Sequence, residues 1–309
     1  MDGYPVIDVS HINKNFGALR AVDDVSFQVE PGAFFGLLGP NGAGKTTTIR
    51  ILLDIFKADS GAVTILGGPM TEAKKNRVGY MPEERGLYQD QPLEKVLSYL
   101  AALKGLAPAV IRERLTGYLE RFDLAAHRKK KVKDLSKGMQ QKAQIIATII
   151  HHPELLIIDE PFSGLDPINT QMVKDLLYEM HNQGTTIIMS THQMHQVEEL
   201  CERIVLVNQG KVMLYGALQE IRKQFSGHAL LVQAPGGLPA LHGVLSMERV
   251  NGAQRLNLEN DTAPQDVLRE LVRLDVPVER FEIAVPALEE IFIRVVRDRV
   301  GSDGQADRL

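Results

Sequence analysis

The sequence predicts an α/β chain in which residues 1–216 form a parallel-sheet core with an inserted helical subdomain and residues 217–300 form a small α+β domain. Three observations carry this prediction. Short apolar runs alternate with segments of helical spacing, as in strands laid parallel through crossover helices. Between Pro92 and Pro153 the strand signals stop, while Leu93, Val96, Leu97, Leu100 and Leu103 recur at helical intervals, so a helical block at about 85–153 interrupts the sheet. Beyond Gly216 the order changes to strand 228–234, helix 238–243, strands 244–250 and 253–259, helix 264–274 and strand 278–285. That βαββαβ order, with a hairpin turn at Asn251 and Gly252, suggests a ferredoxin-like domain. A final helix is expected over 286–299, and 301–309 reads as a disordered polar tail.

Composition narrows the function classes. The chain has 309 residues, 44% of them hydrophobic and 24% charged, which suffices for two buried cores. The net charge of -4 shows no basic excess, so no nucleic-acid partner is expected. Cys201 is the only cysteine, which excludes an internal disulfide and fits a reducing compartment. Residues 1–10 lack the basic and apolar regions of a signal peptide. The apolar runs near 144–150 and 155–158 fall well short of the roughly 18 residues that span a bilayer. A cytoplasmic placement is expected, and any transport across a membrane needs a pore made by another polypeptide.

Residues 6–9 and 25–29 read as strands, with Asn15 and Gly17 supplying turn residues after the first. Phe34–Leu38 is more apolar and runs into Gly39, Asn41, Gly42 and Gly44, after which 46–55 has helical spacing. Strand, glycine loop and helix follow in the order that G-x-x-x-x-G-K-[ST] requires, and residues 39–46 fit that pattern. Its glycines let backbone N–H groups turn inward around phosphate oxygens, and the helix adds the positive end of its dipole. Lys45 is expected to reach the β- and γ-phosphates of a nucleoside triphosphate, Thr46 to ligate Mg²⁺, and Thr47 to join the phosphate contacts.

Residues 155–158 form an apolar strand that ends in Asp159 and Glu160, at the sheet edge where the phosphate loop opens. Asp159 would hold the Mg²⁺ shell, and Glu160 could act as general base on the attacking water. The bland alternative is an N-cap pair before a helix, which the neighbouring phosphate loop disfavours. A helix at 170–183 and a strand at 185–189 complete the βαβ alternation. The basic run Arg128, Lys129, Lys130, Lys131 and Lys133 reads as a solvated helix end. His192, His195 and Cys201 match no standard zinc spacing.

Leu135-Ser136-Lys137-Gly138-Met139-Gln140 begins one residue further upstream than Ser136, itself 23 residues before Asp159, and resembles the signature loop of ATP-binding-cassette (ABC) ATPases. Ser163 to Asp166 resembles that family's D-loop, Ser190 to His192 its switch loop, and Phe16 its adenine-stacking aromatic. Six elements stand in the family's order, and the resemblance covers 6–216. It implies a P-loop ABC ATPase core that binds ATP and Mg²⁺. It also implies a two-fold dimer in which Ser136, Gly138 and Gln140 complete the ATP pocket of a second copy. His192 would touch the γ-phosphate, and Asp166 would link the two pockets. Residues 84–103 would grip separate transmembrane permease subunits, which hold the chain at the cytoplasmic face of the inner membrane.

Two departures refine the resemblance. Residues 78–85 resemble the Q-loop, but Glu83 stands where the family has Gln, so Glu83 joins Thr46 and Asp159 as an expected Mg²⁺ or water contact. Lys137 and Met139 replace the commoner Gly and Gln. Together with the Pro286 to Phe292 run, these resemble a branch of bacterial exporters that move Na⁺ or drug-like, lipophilic solutes. The alternative, a non-transport ABC ATPase of translation or DNA repair, usually carries two cassettes or a long coiled coil. This chain has one phosphate loop, and only 120 residues separate Gly39 from Asp159.

Overall fold

The computed structural model describes residues 4–84, 86–226, 229–250, 252–259 and 261–306, with backbone alone over 298–306. The chain divides into two compact units, 1–216 and 217–309. The first opens with β1 (Ile7–Phe16), β2 (Leu19–Val29), β3 (Phe34–Leu38), α1 (Lys45–Leu52), β4 (Ser60–Ile65), α2 (Glu72–Lys75) and β5 (Val78–Met81). The helical insertion holds α3 (Leu93–Leu103), α4 (Pro108–Arg121) and α5 (Lys137–Ile149). The sheet resumes with β6 (Leu155–Asp159), α6 (Pro167–Asn182), β7 (Thr186–Thr191), α7 (Met194–Leu200), β8 (Arg203–Asn208) and β9 (Lys211–Ala217).

Two sheets share one core. A six-stranded sheet has the order β5-β6-β7-β3-β8-β9, and β5, β6, β7, β3 and β8 pair in parallel. Every residue of β3, β6 and β7 is buried, which is why these segments read as unbroken apolar runs and do not alternate. A three-stranded antiparallel sheet, β2-β1-β4, alternates instead, and its inner residues Ile7, Val9 and Phe27 pack with Phe35, Leu37 and Ile49. Phe27 stacks on Phe35 with ring centroids 5.7 Å apart. The sequence reading leaves out β4, β5 and β9, which are short or half exposed and lack a clean period, and also β8, whose buried apolar run at 204–207 resembles those of β3 and β6.

Register decides where the chemistry lies. Leu38 pairs with Thr191 and with Leu206, Asp159 with Ser190, and Met81 with Ile158. The carboxyl ends of β5, β6, β7 and β3 therefore stop in line, and the segments that follow them share one edge of the sheet. The helical insertion is pinned by its own ion pairs. The Arg128 guanidinium forks onto Glu94, and Lys133 lies 2.7 Å from Asp90, so two members of the basic run have acidic partners.

The second unit holds α8 (Leu218–Phe225), β10 (Ala229–Gln233), β11 (Val244–Val250), β12 (Ala253–Leu258), α9 (Pro264–Arg273), β13 (Arg280–Ile283) and α10 (Leu288–Ala306). Its four strands run antiparallel in the order β11-β12-β10-β13, and Leu230, Val232, Leu256, Val267 and Leu271 form its core. This is the strand arrangement of the expected βαββαβ unit without its first helix. The expected helix at 238–243 is irregular chain: Gly236, Gly237 and Gly243 sit at φ of 87°, 86° and 71°, and Pro239 lies between them, leaving no room for a turn to nucleate. Leu241 is nevertheless buried, so the apolar position belongs to the core although irregular chain carries it. The last helix runs on to Ala306, so the disordered tail expected from 301 is helical over 301–306, where extending an existing helix costs little per residue. Asn251, the first residue of the expected hairpin turn, and 307–309 lie outside the described residues.

Gly79 in β5 tests the packing of α5 against the sheet. A Cβ there would meet the Thr148 carbonyl oxygen at 2.6 Å and Pro153 Cγ at 3.0 Å, without any backbone strain of its own. Gly79→Ala is expected to lower stability by about 1–3 kcal/mol through overpacking alone. A urea unfolding midpoint equal to wild type would contradict this packing.

Candidate functional site

A cavity of about 480 Å³ opens at the carboxyl edge of the six-stranded sheet, lined by the glycine loop with Phe16, Arg20, Thr46, Glu83, Asp159 and Glu160 among others. The loop between β3 and α1 takes its path because Gly39, Gly42 and Gly44 adopt φ of 151°, 79° and 103°. At Gly39 a Cβ would lie 2.1 Å from the Val207 carbonyl, and at Gly44 2.4 Å from that of Ala21. Only glycine fits either position, so the loop can wrap with its N–H groups inward.

Three charges crowd the floor of this cavity. Lys45, at the start of α1, is 7% exposed and donates from Nζ to the carbonyls of Gly39 at 2.8 Å and Pro40 at 3.1 Å. Burial lowers its pKa, while Glu160, Asp159 and Glu83 pull it back up. Asp159 is 1% exposed and accepts the Thr46 hydroxyl at 3.0 Å. Burial, with the nearby Glu160 charge adding to it, raises the Asp159 pKa, opposed by the Thr46 hydrogen bond and Lys45.

Glu160 is tethered. Its backbone sits at φ 50°, a strained region for a non-glycine residue, and its N–H donates to the Ser190 carbonyl at 2.9 Å. Its carboxylate accepts from the Thr191 hydroxyl at 3.0 Å and the His192 N–H at 2.9 Å, and lies 2.6 Å from His192 Nδ1. The switch segment thus closes directly on the carboxylate. Thr191 lies in the segment that resembles the switch loop, but nothing in the sequence marks its hydroxyl as a partner of Glu160; its Oγ also accepts from Gln193 N–H, which fixes its direction.

Thr46, Asp159 and Glu83 offer hard oxygen donors, a set that suits Mg²⁺. Among the described residues no group of three His, Cys, Asp or Glu could cage a metal by itself. Such a partial set fits an ion that keeps waters and takes phosphate oxygens as its other ligands.

The remaining expected residues gather elsewhere. Ser136 caps α5, accepting from Met139 N–H at 3.2 Å, and a Cβ on Gly138 would lie 3.6 Å from the Gly164 carbonyl. Asp166 caps α6, accepting the Asn169 N–H at 2.9 Å, and this hydrogen bond holds its carboxyl below the usual range. None of the three lines the 480 Å³ cavity of their own chain. Gln140 donates from Nε2 to the carbonyls of Val132 and Leu135 at 3.1 and 3.0 Å, bracing the loop that leads to Ser136.

Comparison with known proteins agrees with this geometry. The ABC transporter family profile matches residues 22–163, and that of the ATP-binding protein DrrA1-3-like C-terminal domain matches 216–296. The chain is 38% identical over 294 residues to the uncharacterized ABC transporter ATP-binding protein YhaQ of Bacillus subtilis, covering 94% of this chain and 98% of that one. It is 33% identical over 254 residues to the Nod factor export ATP-binding protein I of Ralstonia nicotianae, covering 81% and 79%. A solved ATP-binding subunit of an ABC transporter, 34% identical, superposes with a TM-score of 0.68 over 71% of this chain and 93% of its own.

The raised pKa of Asp159 has a sign that can be measured. Between its unfolded and folded values the folded chain holds the extra proton, so stability falls as pH rises through the folded value. The penalty for burying the ionised group therefore grows as pH rises from the unfolded toward the folded value. Asp159→Asn, which keeps an acceptor for Thr46, is expected to raise Tm by about 2–4 °C at pH 7 in buffer free of Mg²⁺ and nucleotide. It should also remove the further rise that MgATP gives wild type. Differential scanning calorimetry reads both, and a lower Tm for the variant would contradict the burial cost.

Proposed function

The chain belongs to the ATP-binding subunits of ABC transporters, enzymes that hydrolyse ATP for transport, and on that premise we propose that two copies close on two MgATP to drive separate permease subunits. The observation that carries the residue assignments is the convergence of Lys45, Asp159, Glu160 and His192 at one sheet edge. Lys45 and the loop N–H groups bind the β- and γ-phosphates. Thr46 and Asp159 hold Mg²⁺, which when bound neutralises charge developing on the phosphate oxygens. Glu160 takes the proton of the attacking water, with Thr191 and His192 fixing its carboxylate. Phe16, exposed at the cavity mouth and packed edge-on against Phe56 at 5.5 Å, stacks on adenine. Glu83 adds a carboxylate at the Mg²⁺ side in place of the neutral amide usual there.

The second copy is supported by what one chain leaves unused. The N-terminal end of α5, with Ser136 and Gly138, lies off the cavity of its own chain and fits the exposed triphosphate face of another, giving a two-fold pair in which Asp166 joins the pockets. No helix among the described residues is long and apolar enough to cross a membrane, which accords with permeases as separate chains. Placement at the cytoplasmic face follows from that partnership. Export as the direction is supported by the relative named for Nod factor export. The solute is selected in the permease.

Glu160→Gln is expected to leave ATP affinity within about twofold and to slow hydrolysis at least about 10²-fold, since only the base is lost. Steady-state phosphate release beside equilibrium nucleotide binding measures both, and near-normal turnover sinks the assignment. The second unit, with a core of its own, is proposed to strengthen the two-fold pair. Removing 217–309 from the Glu160→Gln chain should then lower the dimer fraction in ATP by sedimentation velocity. An unchanged fraction removes that role.

A further inference from the structure

Helix α5 carries Ser136 and Gly138 at its start, and its buried face grips both carboxylate-bearing loops of its own chain. Gln141 donates from Nε2 to the Pro161 carbonyl at 3.0 Å, just after Glu160. One turn on, Gln144 donates from Nε2 to the Pro82 carbonyl at 2.8 Å, with the Glu84 carbonyl 3.5 Å from the same nitrogen. These carbonyls flank Glu83 on either side. Gln144 is 4% exposed, so water does not compete for the contact. The tether continues into the sheet: the Gln144 carbonyl accepts the Thr148 hydroxyl at 2.8 Å, and the Thr148 carbonyl packs over Gly79 of β5, the strand that leads to Glu83.

We propose that Gln144 is a positioning residue that sets Glu83 according to the position of α5, and so links the nucleotide pocket that Ser136 caps in the second copy to the Mg²⁺ side of the chain's own pocket. The inference rests on the two-fold reading given above. The physical chain is short. From Ser136 to Gln144 is eight residues of regular helix, about 12 Å of stiff rod. A phosphate that engages the N-terminal end of α5 shifts that rod, and the Gln144 amide carries the shift to the main chain around Glu83. The coupling runs through a two-carbon stem locked by burial on one side and by backbone carbonyls on the other. A residue that only filled space would give no directional grip on those carbonyls.

The test is a double-mutant cycle in the full-length chain, with MgATP as the only probe. Gln144→Leu keeps the volume and removes the donor. It is expected to leave KM for ATP within about twofold while lowering kcat about tenfold, the loss that one buried hydrogen bond supports. The same change should also abolish any cooperativity in ATP. In a Glu83→Ala background Gln144→Leu should lower kcat no further, because its effect passes through Glu83. Gln144→Asn, one methylene short, should show the same pattern more weakly, and it serves if the leucine variant does not fold. Additive losses in the cycle overturn the proposal. So does a pattern in which Tm drops while kcat, KM and cooperativity per folded molecule stay as in wild type. Hydrolysis that Glu160→Gln abolishes in the parent chain keeps the ATPase assignment standing whichever way the cycle falls. A parent chain that never hydrolyses ATP overturns both.

Discussion

Two carboxylates and one ammonium are buried together at the end of an apolar strand, and the rest of the nucleotide-binding unit is arranged around that fact. Asp159 and Glu160 are 1% and 6% exposed, yet they stand side by side in sequence and share the one neighbouring ammonium of Lys45. Like charges in a poorly solvated place are costly unless each finds partners. The structure supplies them separately. Asp159 takes the Thr46 hydroxyl from the phosphate-loop helix, and Glu160 takes Thr191 and His192 from the neighbouring strand end. Lys45 is held by loop carbonyls, which leave its positive charge free to act on a polyanion. The residual electrostatic tension is what a magnesium triphosphate relieves, so affinity for the nucleotide and the instability of the ligand-free edge share one origin.

Keeping those groups together depends on strand register more than on any single contact. Parallel pairing brings the ends of β3, β5, β6 and β7 into line, and each end hands over to a functional loop. A slip of one residue in β6 would turn Asp159 to the opposite face of the sheet. Because β3, β6 and β7 are buried on both faces, their apolar side chains alone discriminate register weakly, and the polar contacts of Asp159 and Glu160 at the strand end add the cost of a slip.

Sequence made the contiguous parts of this arrangement legible. The phosphate loop, the acidic strand end and the capping residues Ser136 and Asp166 each work through neighbours a few positions away, so their spacing carries the information. Contacts between remote segments left no such mark. Thr191 meets Glu160 across 31 positions, and Gln144 meets Pro82 across 62, and each is an ordinary polar residue inside an apolar run. The hydrogen bonds by which Gln140 braces the loop before Ser136 are likewise invisible in the motif that contains it. The segment 238–243 has helical apolar spacing but glycines at left-handed φ around it, and backbone freedom at those glycines outweighed periodicity.

The helix α5 ties these observations into one device. Its first turn presents Ser136 and Gly138 outward, while Gln141 and Gln144 on its buried face hold the chain beside Glu160 and around Glu83. An element built only for packing would use apolar side chains at such positions, as Ile145, Ile146 and Ile149 do along the same helix. Buried carboxamides are retained where main-chain carbonyls of irregular loops need donors, and a loop with no hydrogen-bonding ladder of its own goes where its donor goes. Gln141 and Gln144 therefore fasten α5 to the chain just after Glu160 and around Glu83, and the proposed link from the outward end of the helix to the site of its own chain runs through these contacts.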